Sequence, residues 1–590
     1  MINAKTSRLV FPLVLTAVAL LVAVTYWPVL HADFVWDDLL DFKRAAWLRH
    51  GNDWQHFLLH NFNNWSNYFR PLIIALFTAE VRTFDARPGP MHGVSLAIHV
   101  ANSILVGVLA TRLSKNDVPA VRKSQLFALS ALLYGLHPLL VEPVVWIGCQ
   151  FDLVATLFML LGWTLNTYIA NSWGRATSVA GCFFLAACSK ESTLAFPLVL
   201  VVCDWMALKP QTRQTAIARF FALLKLQLRV YVCIAIAGVV YLSLRYWALE
   251  GVLFKSSDTM PLAGRLHEAA FLYLRYWRMF FWPMAGMSPV HSLDAQAFLH
   301  PDFFTWLKDG LALLLLAVGI VLTFRRSYTG ALILSVTLAL IPVLHLLAAD
   351  FDSSPFHERY AITALAIACA WFPMIWTELP KSVYGSSVLS IAGHAILAVW
   401  LIIGIMNIRL TIPLWSSQVS LWQWALQEEP HSIVAKDQLL TAYIDNRNYD
   451  AAWHLVDQLA AEHSPCINCM LSASMLAIRQ RDYSRASLLL DQVDAAGPMH
   501  GDMLRAYRIT RAQLLLLQNN PAEAERIMRD TVSMDNLDPE PQITLAIALA
   551  MQGKTAEATQ VEKAAIALLP PDQQQRRLDA FRRILKGNRQ

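Results

Sequence analysis

Residues 9–38 read LVFPLVLTAVALLVAVTYWPVLHADFVWDD, an apolar run long enough to cross a bilayer, followed within a few residues by the adjacent carboxylates Asp37 and Asp38. Only Lys5 and Arg8 carry charge ahead of the run, and no small-residue cleavage site stands before Tyr26, Trp27 and Pro28. The run therefore reads as a retained anchor rather than a cleaved signal. Adjacent carboxylates beside a membrane are costly and easily avoided, so Trp36-Asp37-Asp38 is the first candidate for chemistry.

Composition extends this reading to the whole chain. Of 590 residues, 56% are hydrophobic and 15% charged, and the mean hydropathy of +0.41 exceeds soluble usage. Spanning segments are expected near 9–29, 91–111, 124–140, 152–170, 174–188, 191–208, 229–247, 306–324, 330–349, 360–377 and 386–406, an all-α bundle of about eleven helices. The loops with Arg112, Lys115, Arg122 and Lys123, with Lys209, Arg213, Arg219, Lys225 and Arg229, and with Arg325 and Arg326 all become cytoplasmic if the N-terminus is. Glu268–Met284, which carries Arg275 and Arg278, then reads as an interfacial or re-entrant helix. The net charge of +5 is spread along the chain, with no basic cluster of the kind that tracks nucleic acid.

This parity gathers Asp37, Asp38, His137, Glu142, Lys190, Glu191, His357, Glu358 and Arg359 on one external face. The loops carrying them run over 30–90, 136–152, 189–192 and 350–360. Loops held by a rigid helical scaffold are a common place for a site.

The stretches FVWDD (34–38), YFRPL (68–72), HPLLVEPVVWI (137–147), SKES (189–192) and HERY (357–360) resemble, in order and spacing, the bacterial relatives of the transmembrane and tetratricopeptide-repeat containing mannosyltransferases, members of the C structural class of glycosyltransferases. The resemblance covers most of the chain. It implies a polyprenyl-phosphate-linked sugar donor presented at the outer face, an acceptor that stays outside, and an essential carboxylate at the start of the first external loop. One departure is Cys149-Gln150-Phe151 ahead of Asp152, where the family pattern has an Arg.

Glycosyl transfer to a hydroxyl needs a carboxylate to orient or deprotonate the nucleophile and cations to stabilise the leaving phosphate. Asp37 and Asp38 supply the first, and since neighbours in a strand or helix diverge, one of them faces the acceptor, with a slight preference for Asp37. Lys190, Arg359, His357 and Arg70 supply the second; His137, Glu142, Glu191 and Glu358 support them. A direct displacement would invert the anomeric centre. No cofactor is required by any motif; a divalent metal could sit beside Asp37 and Asp38, although related enzymes with lipid-monophosphate donors often work without one.

Each residue also has a structural reading. The acids can solvate a loop or cap a helix. His137-Pro138 can end one helix and start the next. Lys190 and Glu191 can form a self-compensating turn pair, and HERY can snorkel at a helix end. Asp152 can be held by a helix N-terminus. The aromatics Trp47, Trp54, Phe57, Phe62, Trp65, Tyr68 and Phe69, with Asn61, Asn63 and Asn64 among them, fit an interfacial belt or a surface for stacking on sugar.

Beyond about residue 411 the apolar positions take helical period and charge returns. Tyr443, Asn446, Tyr449 and Ala452, then Asp482, Tyr483 and Ala486, then Pro521 to Ala524, then Gly553 to Ala558 mark about four degenerate units with a period near 34 residues, as in a tetratricopeptide-like α-solenoid. Its concave face could hold a protein acceptor or stabilise an oligomer. Cys466-x-x-Cys469 could form a local disulfide, whereas a metal site would need ligands beyond His463. The expected protein is a multi-pass enzyme of the bacterial inner membrane, with its site and repeat periplasmic, glycosylating an external protein. Rival readings are a transferase acting on a lipid or envelope polysaccharide and a non-catalytic scaffold that recruits envelope proteins.

Overall fold

The structure is a computed structural model that describes residues 4–39, 42, 48, 53–59, 68–114, 119–208, 215–251, 260–346, 354, 356–379, 387–461, 466–499, 501–534, 539–569 and 571–587. Trp47, Asn61, Phe62, Asn63, Asn64, Trp65 and His463 lie outside these. The chain forms two compact units, Met1–Leu421 and Trp422–Gln590, and no strand occurs among the described residues.

The first unit contains α1 (Ala4–Tyr26), α2 (Pro71–Phe84), α3 (Pro88–Leu113), α4 (Ala120–Gly135), the short α5 (Val141–Val145), α6 (Gln150–Tyr168), α7 (Trp173–Ala187) and α8 (Phe196–Ala207). It continues through α9 (Ala216–Leu249), α10 (Leu262–Phe281), α11 (Phe303–Phe324), α12 (Tyr328–Leu340), α13 (Ile362–Ile375) and α14 (Ser387–Thr411). Local chemistry sets many of the ends. Proline at the first turn starts α2 and α3, where its missing N–H is harmless. Ser172 and Asp302 cap α7 and α11 by accepting from Arg175 N at 3.2 Å and Thr305 N at 2.8 Å.

α3 packs against α4, α6 and α13, and α12 packs against α8, α11 and α13, so α6 and α13 stand inside the bundle. The spanning stretch through α6 is 78% buried and that through α13 is 61% buried, whereas the stretches through α11 and α14 are 11% and 6% buried. Leu313, Ile391, Ile396 and Leu410 point outward from those outer helices. Apolar faces of this extent are stable in lipid and not in water.

Among the described residues, seven helices are long and apolar enough to cross a membrane, and an eighth is possible if α4 and the stretch Pro138–Val145, bent 56° apart, form one broken span. The bend falls at His137-Pro138, where proline has no N–H to continue the ladder. The other expected spans at 174–188, 191–208 and 330–349 fall on α7, α8 and α12, which have 15, 12 and 13 residues. The protein is thus an all-α chain with the helices of a multi-pass membrane protein.

In the second unit, helical hairpins begin at Ile433, Ile467, Gly501 and Pro539, 34, 34 and 38 residues apart, and their second helices begin at Tyr449, Tyr483, Pro521 and Thr555. Each hairpin turns the same way. Arg447, Arg481, Asn519 and Gly553 take positive φ, and the next N–H of each, from Asn448, Asp482, Asn520 and Lys554, closes onto Tyr443, Ala477, Leu515 and Leu549 carbonyls at 2.8–3.0 Å. These are Schellman closures. Ala452, Ala486, Ala524 and Ala558, the small residues of the sequence pattern, are each fully buried where the paired helices approach. Cys466 and Cys469 form a disulfide at the start of Ile467–Arg479.

Candidate functional site

The chain leaves α1 through the turn Trp27–His31 and runs extended to Val35. Trp36 then adopts φ +55°, a left-handed conformation that costs a bulky residue energy and commonly marks a functional site. The reversal separates the two carboxylates. Asp37 is exposed, whereas Asp38 is fully buried and accepts from Gly148 N at 2.8 Å and Val35 N at 3.4 Å. The sequence slightly preferred Asp37; in the structure Asp37 is exposed and Asp38 is buried. Gly148 lies in the turn Ile147–Cys149 that opens α6; a Cβ there would fall 2.9 Å from Trp146 Nε1 and 3.2 Å from Asp38 Oδ1.

Trp36 also starts an aromatic series. Its ring stacks on Trp146 at 4.7 Å with an interplanar angle of 8°, and the Arg359 guanidinium lies 4.5 Å over Trp146 and 4.9 Å from the Tyr360 ring. Glu142, on α5, holds this arginine twice, accepting from Arg359 Nη1 at 2.7 Å and Arg359 N at 3.0 Å. His357 Nδ1 lies 3.2 Å from the same carboxylate. HERY forms a turn of 3-10 type before α13, so its side chains diverge. Glu358 turns to His291 Nε2 at 2.9 Å, and Arg275 approaches His291 Nδ1 at 2.8 Å. Because the guanidinium can only donate, Nδ1 is the acceptor and Nε2–H donates to Glu358.

Lys190 continues the series. It pairs with Asp152 on α6 and lies 4.7 Å from the Tyr360 ring and 5.2 Å from that of Phe151. Burial pulls its ammonium below the usual range, and the Asp152 carboxylate opposes that shift. Beyond Phe151 lies Arg70, 4.2 Å over that ring, bonded to Glu191 Oε2 at 3.2 Å; Arg245 of α9 reaches Glu191 Oε1 at 3.1 Å. A small cavity lined by Asp152, Ser192, Tyr360 and Thr363 opens within this region.

Lys190, Arg359, Arg70, Glu142, Glu191 and His357 therefore join one run of cations, carboxylates and ring faces that leads back through Trp146 to Asp38. Glu358 faces away from Arg359's partner toward His291. His137 serves the backbone, with Nδ1 accepting from Leu139 N at 3.3 Å and Nε2 3.2 Å from Phe280 O. Arg245, His291 and Gly148 belong to the arrangement but were not singled out by motif, and Trp36 and Trp146 lie within the FVWDD and HPLLVEPVVWI stretches, where sequence reasoning assigned neither ring a role. Among the described residues, no group of three or more His, Cys, Asp or Glu gathers as a metal site, and Asp37 and Asp38 lie in different surroundings.

Chemically, the run offers a positioned carboxylate, flat rings suited to stacking on a pyranose or polyprenyl chain, and buried cations whose carboxylate partners an incoming anion would replace. No protein-family model matches this chain, and no curated protein matches it either.

Proposed function

We propose that the chain is a membrane glycosyltransferase of the C class that moves a sugar from a polyprenyl-phosphate donor to a hydroxyl of an external protein, with inversion. The observation that carries this reading is the buried Asp38 at one end of a series of aromatic rings and the cations Arg359, Lys190 and Arg70. In this reading Asp38 orients and deprotonates the acceptor hydroxyl, and Lys190, Arg359 and Arg70, with His357, receive the departing phosphate charge. About eleven membrane segments, with α7, α8 and α12 as short ones, would place the site and the second unit on the periplasmic side of the inner membrane. The hairpins of the second unit would form a tetratricopeptide-like stack that holds the acceptor polypeptide.

The test compares wild type, Asp37→Asn and Asp38→Asn in the native cell at matched expression, by intact mass of secreted and surface proteins. Loss of a pentose, hexose or deoxyhexose increment in Asp38→Asn supports transfer. Unchanged protein masses together with an altered lipid or envelope polysaccharide would reassign the acceptor.

A second reading has its own support. Arg359, Lys190 and Arg70 already have carboxylate partners, as they would in a purely structural network, and this favours a non-catalytic scaffold. Under that reading Asp38→Asn changes neither protein nor envelope glycans, while deletion of the second unit still has a phenotype.

A further inference from the structure

Behind Asp38 lies a second polar group. Gln150, fully buried at the junction of the Ile147–Cys149 turn and α6, places Nε2 3.1 Å from Glu80 Oε2 of α2, 3.2 Å from Met91 O and 3.1 Å from Ser95 Oγ of α3. These bonds tie the turn that carries Gly148 to two other helices. Glu80 is also buried, and Glu80 Oε1 and Gln150 Oε1 have no hydrogen-bond partner among the described residues.

That pattern is poor for an ionised carboxylate and good for a neutral acid. Among the described residues, an ionised Glu80 would be buried with one amide donor and no cation. A protonated Glu80 has no charge to solvate, and its Oε2 still accepts from Gln150 Nε2 at 3.1 Å.

We infer that Glu80 is a positioning residue for Asp38: as a neutral acid it anchors Gln150, and through it the turn that delivers Gly148 N–H to the Asp38 carboxylate. The functional consequence rests on the transferase reading; the structural link between Glu80 and Gly148 does not. Burial pushes the Glu80 carboxyl up to about 8, against the lowering effect of its bond from Gln150. Among the described residues, the nearby titratable groups make contacts of their own. On α2 itself, Arg82 donates to Leu48 O at 3.2 Å, and on α3 the His92 ring lies against Ala32 and Asp33. Glu80 therefore holds its proton at neutral pH and releases it as the pH passes about 8, which puts a charge behind the turn.

The experiment is hydrogen exchange with mass spectrometry on the full chain in lipid nanodiscs, reading the Gly148 amide after correction for intrinsic exchange. Glu80→Ala and Gln150→Ala are expected to lower its protection by about tenfold or more, and wild type to lose protection above pH 8. Glu80→Gln, which mimics the neutral acid, keeps the protection and abolishes the pH response. If Glu80→Ala does not fold, Gln150→Ala and the pH response of Glu80→Gln decide the matter. Unchanged protection in Gln150→Ala, or a pH response surviving in Glu80→Gln, would overturn the inference. Intact-mass and envelope-glycan profiling of Asp38→Asn run in parallel: no change in either removes the transferase reading and leaves the exchange result to stand by itself.

Discussion

Gly148 donates its backbone N–H to Asp38 Oδ1 at 2.8 Å across a sequence separation of 110 residues. The bond fixes the direction of a buried carboxylate whose neighbour in sequence, Asp37, is exposed. On the transferase reading, Asp38→Asn is expected to lower glycan transfer by about 10²- to 10⁴-fold, the usual weight of a general base, while Asp37→Asn changes it far less. Occupancy of the modified protein, measured by intact mass, checks the order of the two. The reverse order would return the base to the exposed carboxylate.

The same bond makes the residue at 148 sensitive to a single methyl group. In Gly148→Ala the new carbon would press on Trp146 Nε1 and Asp38 Oδ1, and relieving such a clash costs about 1–3 kcal/mol. Activity should fall more than folded yield does, because the atoms that must move are those that aim the carboxylate. A variant that loses yield and activity together would show that the turn matters to folding alone.

Glu142 illustrates a different dependence. It is buried against Arg359 and His357, and breaking a buried pair by removing one charge costs about 3–5 kcal/mol, since the other charge is left uncompensated. Glu142→Gln should therefore lower the unfolding temperature of the detergent-purified chain clearly. The double variant Glu142→Leu with Arg359→Met should recover much of that stability and no activity. Equal stability of Glu142→Gln and wild type would mean that water reaches the pair.

Much of this was legible from residue order. Composition and the apolar runs marked a multi-pass helical chain, and the repeated small residues marked Ala452, Ala486, Ala524 and Ala558, which are buried at helix contacts. Span number was less legible, because hydropathy reads length in residues and does not reveal that α8 stops after 12. Among the candidate residues, the pairings were hidden. Glu191 was read beside Lys190, yet it binds Arg70 and Arg245, and Lys190 turns to Asp152, because adjacent residues in an extended turn point to opposite sides. Glu80 gave no signal and Gln150 showed only as part of the Cys149-Gln150-Phe151 departure, since each is an ordinary polar residue until tertiary packing removes its water.

The hairpins of the second unit offer a stability test independent of any activity. Arg481 holds φ +63° at an exposed turn where Gly553, in the equivalent place, holds +77°. A side chain in the left-handed region costs roughly 1–2 kcal/mol, part of which glycine loses again to chain entropy. Arg481→Gly should stabilise the unit slightly, by about 0.5 kcal/mol, and Gly553→Ala should destabilise it by about 1 kcal/mol. Chemical denaturation followed by helical circular dichroism distinguishes the signs; a loss in Arg481→Gly would mean that the arginine side chain contributes more than its backbone strain costs.

Cys466 and Cys469 turn the question of sidedness into one of redox chemistry. They are bonded to each other and buried, and disulfides persist in oxidising compartments while the cytosol keeps thiols reduced. If the second unit is periplasmic, rapid acid quenching of intact cells followed by denaturing alkylation should leave both cysteines unlabelled, and labelling should appear only after reduction. The buried Cys149, Cys188 and Cys203 of the first unit serve as an internal reference, because they are free thiols and should label under denaturing conditions without reductant. Full labelling of Cys466 and Cys469 without reductant would place the second unit in a reducing compartment. The proposed external acceptor would then have no route to the helical hairpins, so this measurement bears on the acceptor assignment as directly as it does on topology.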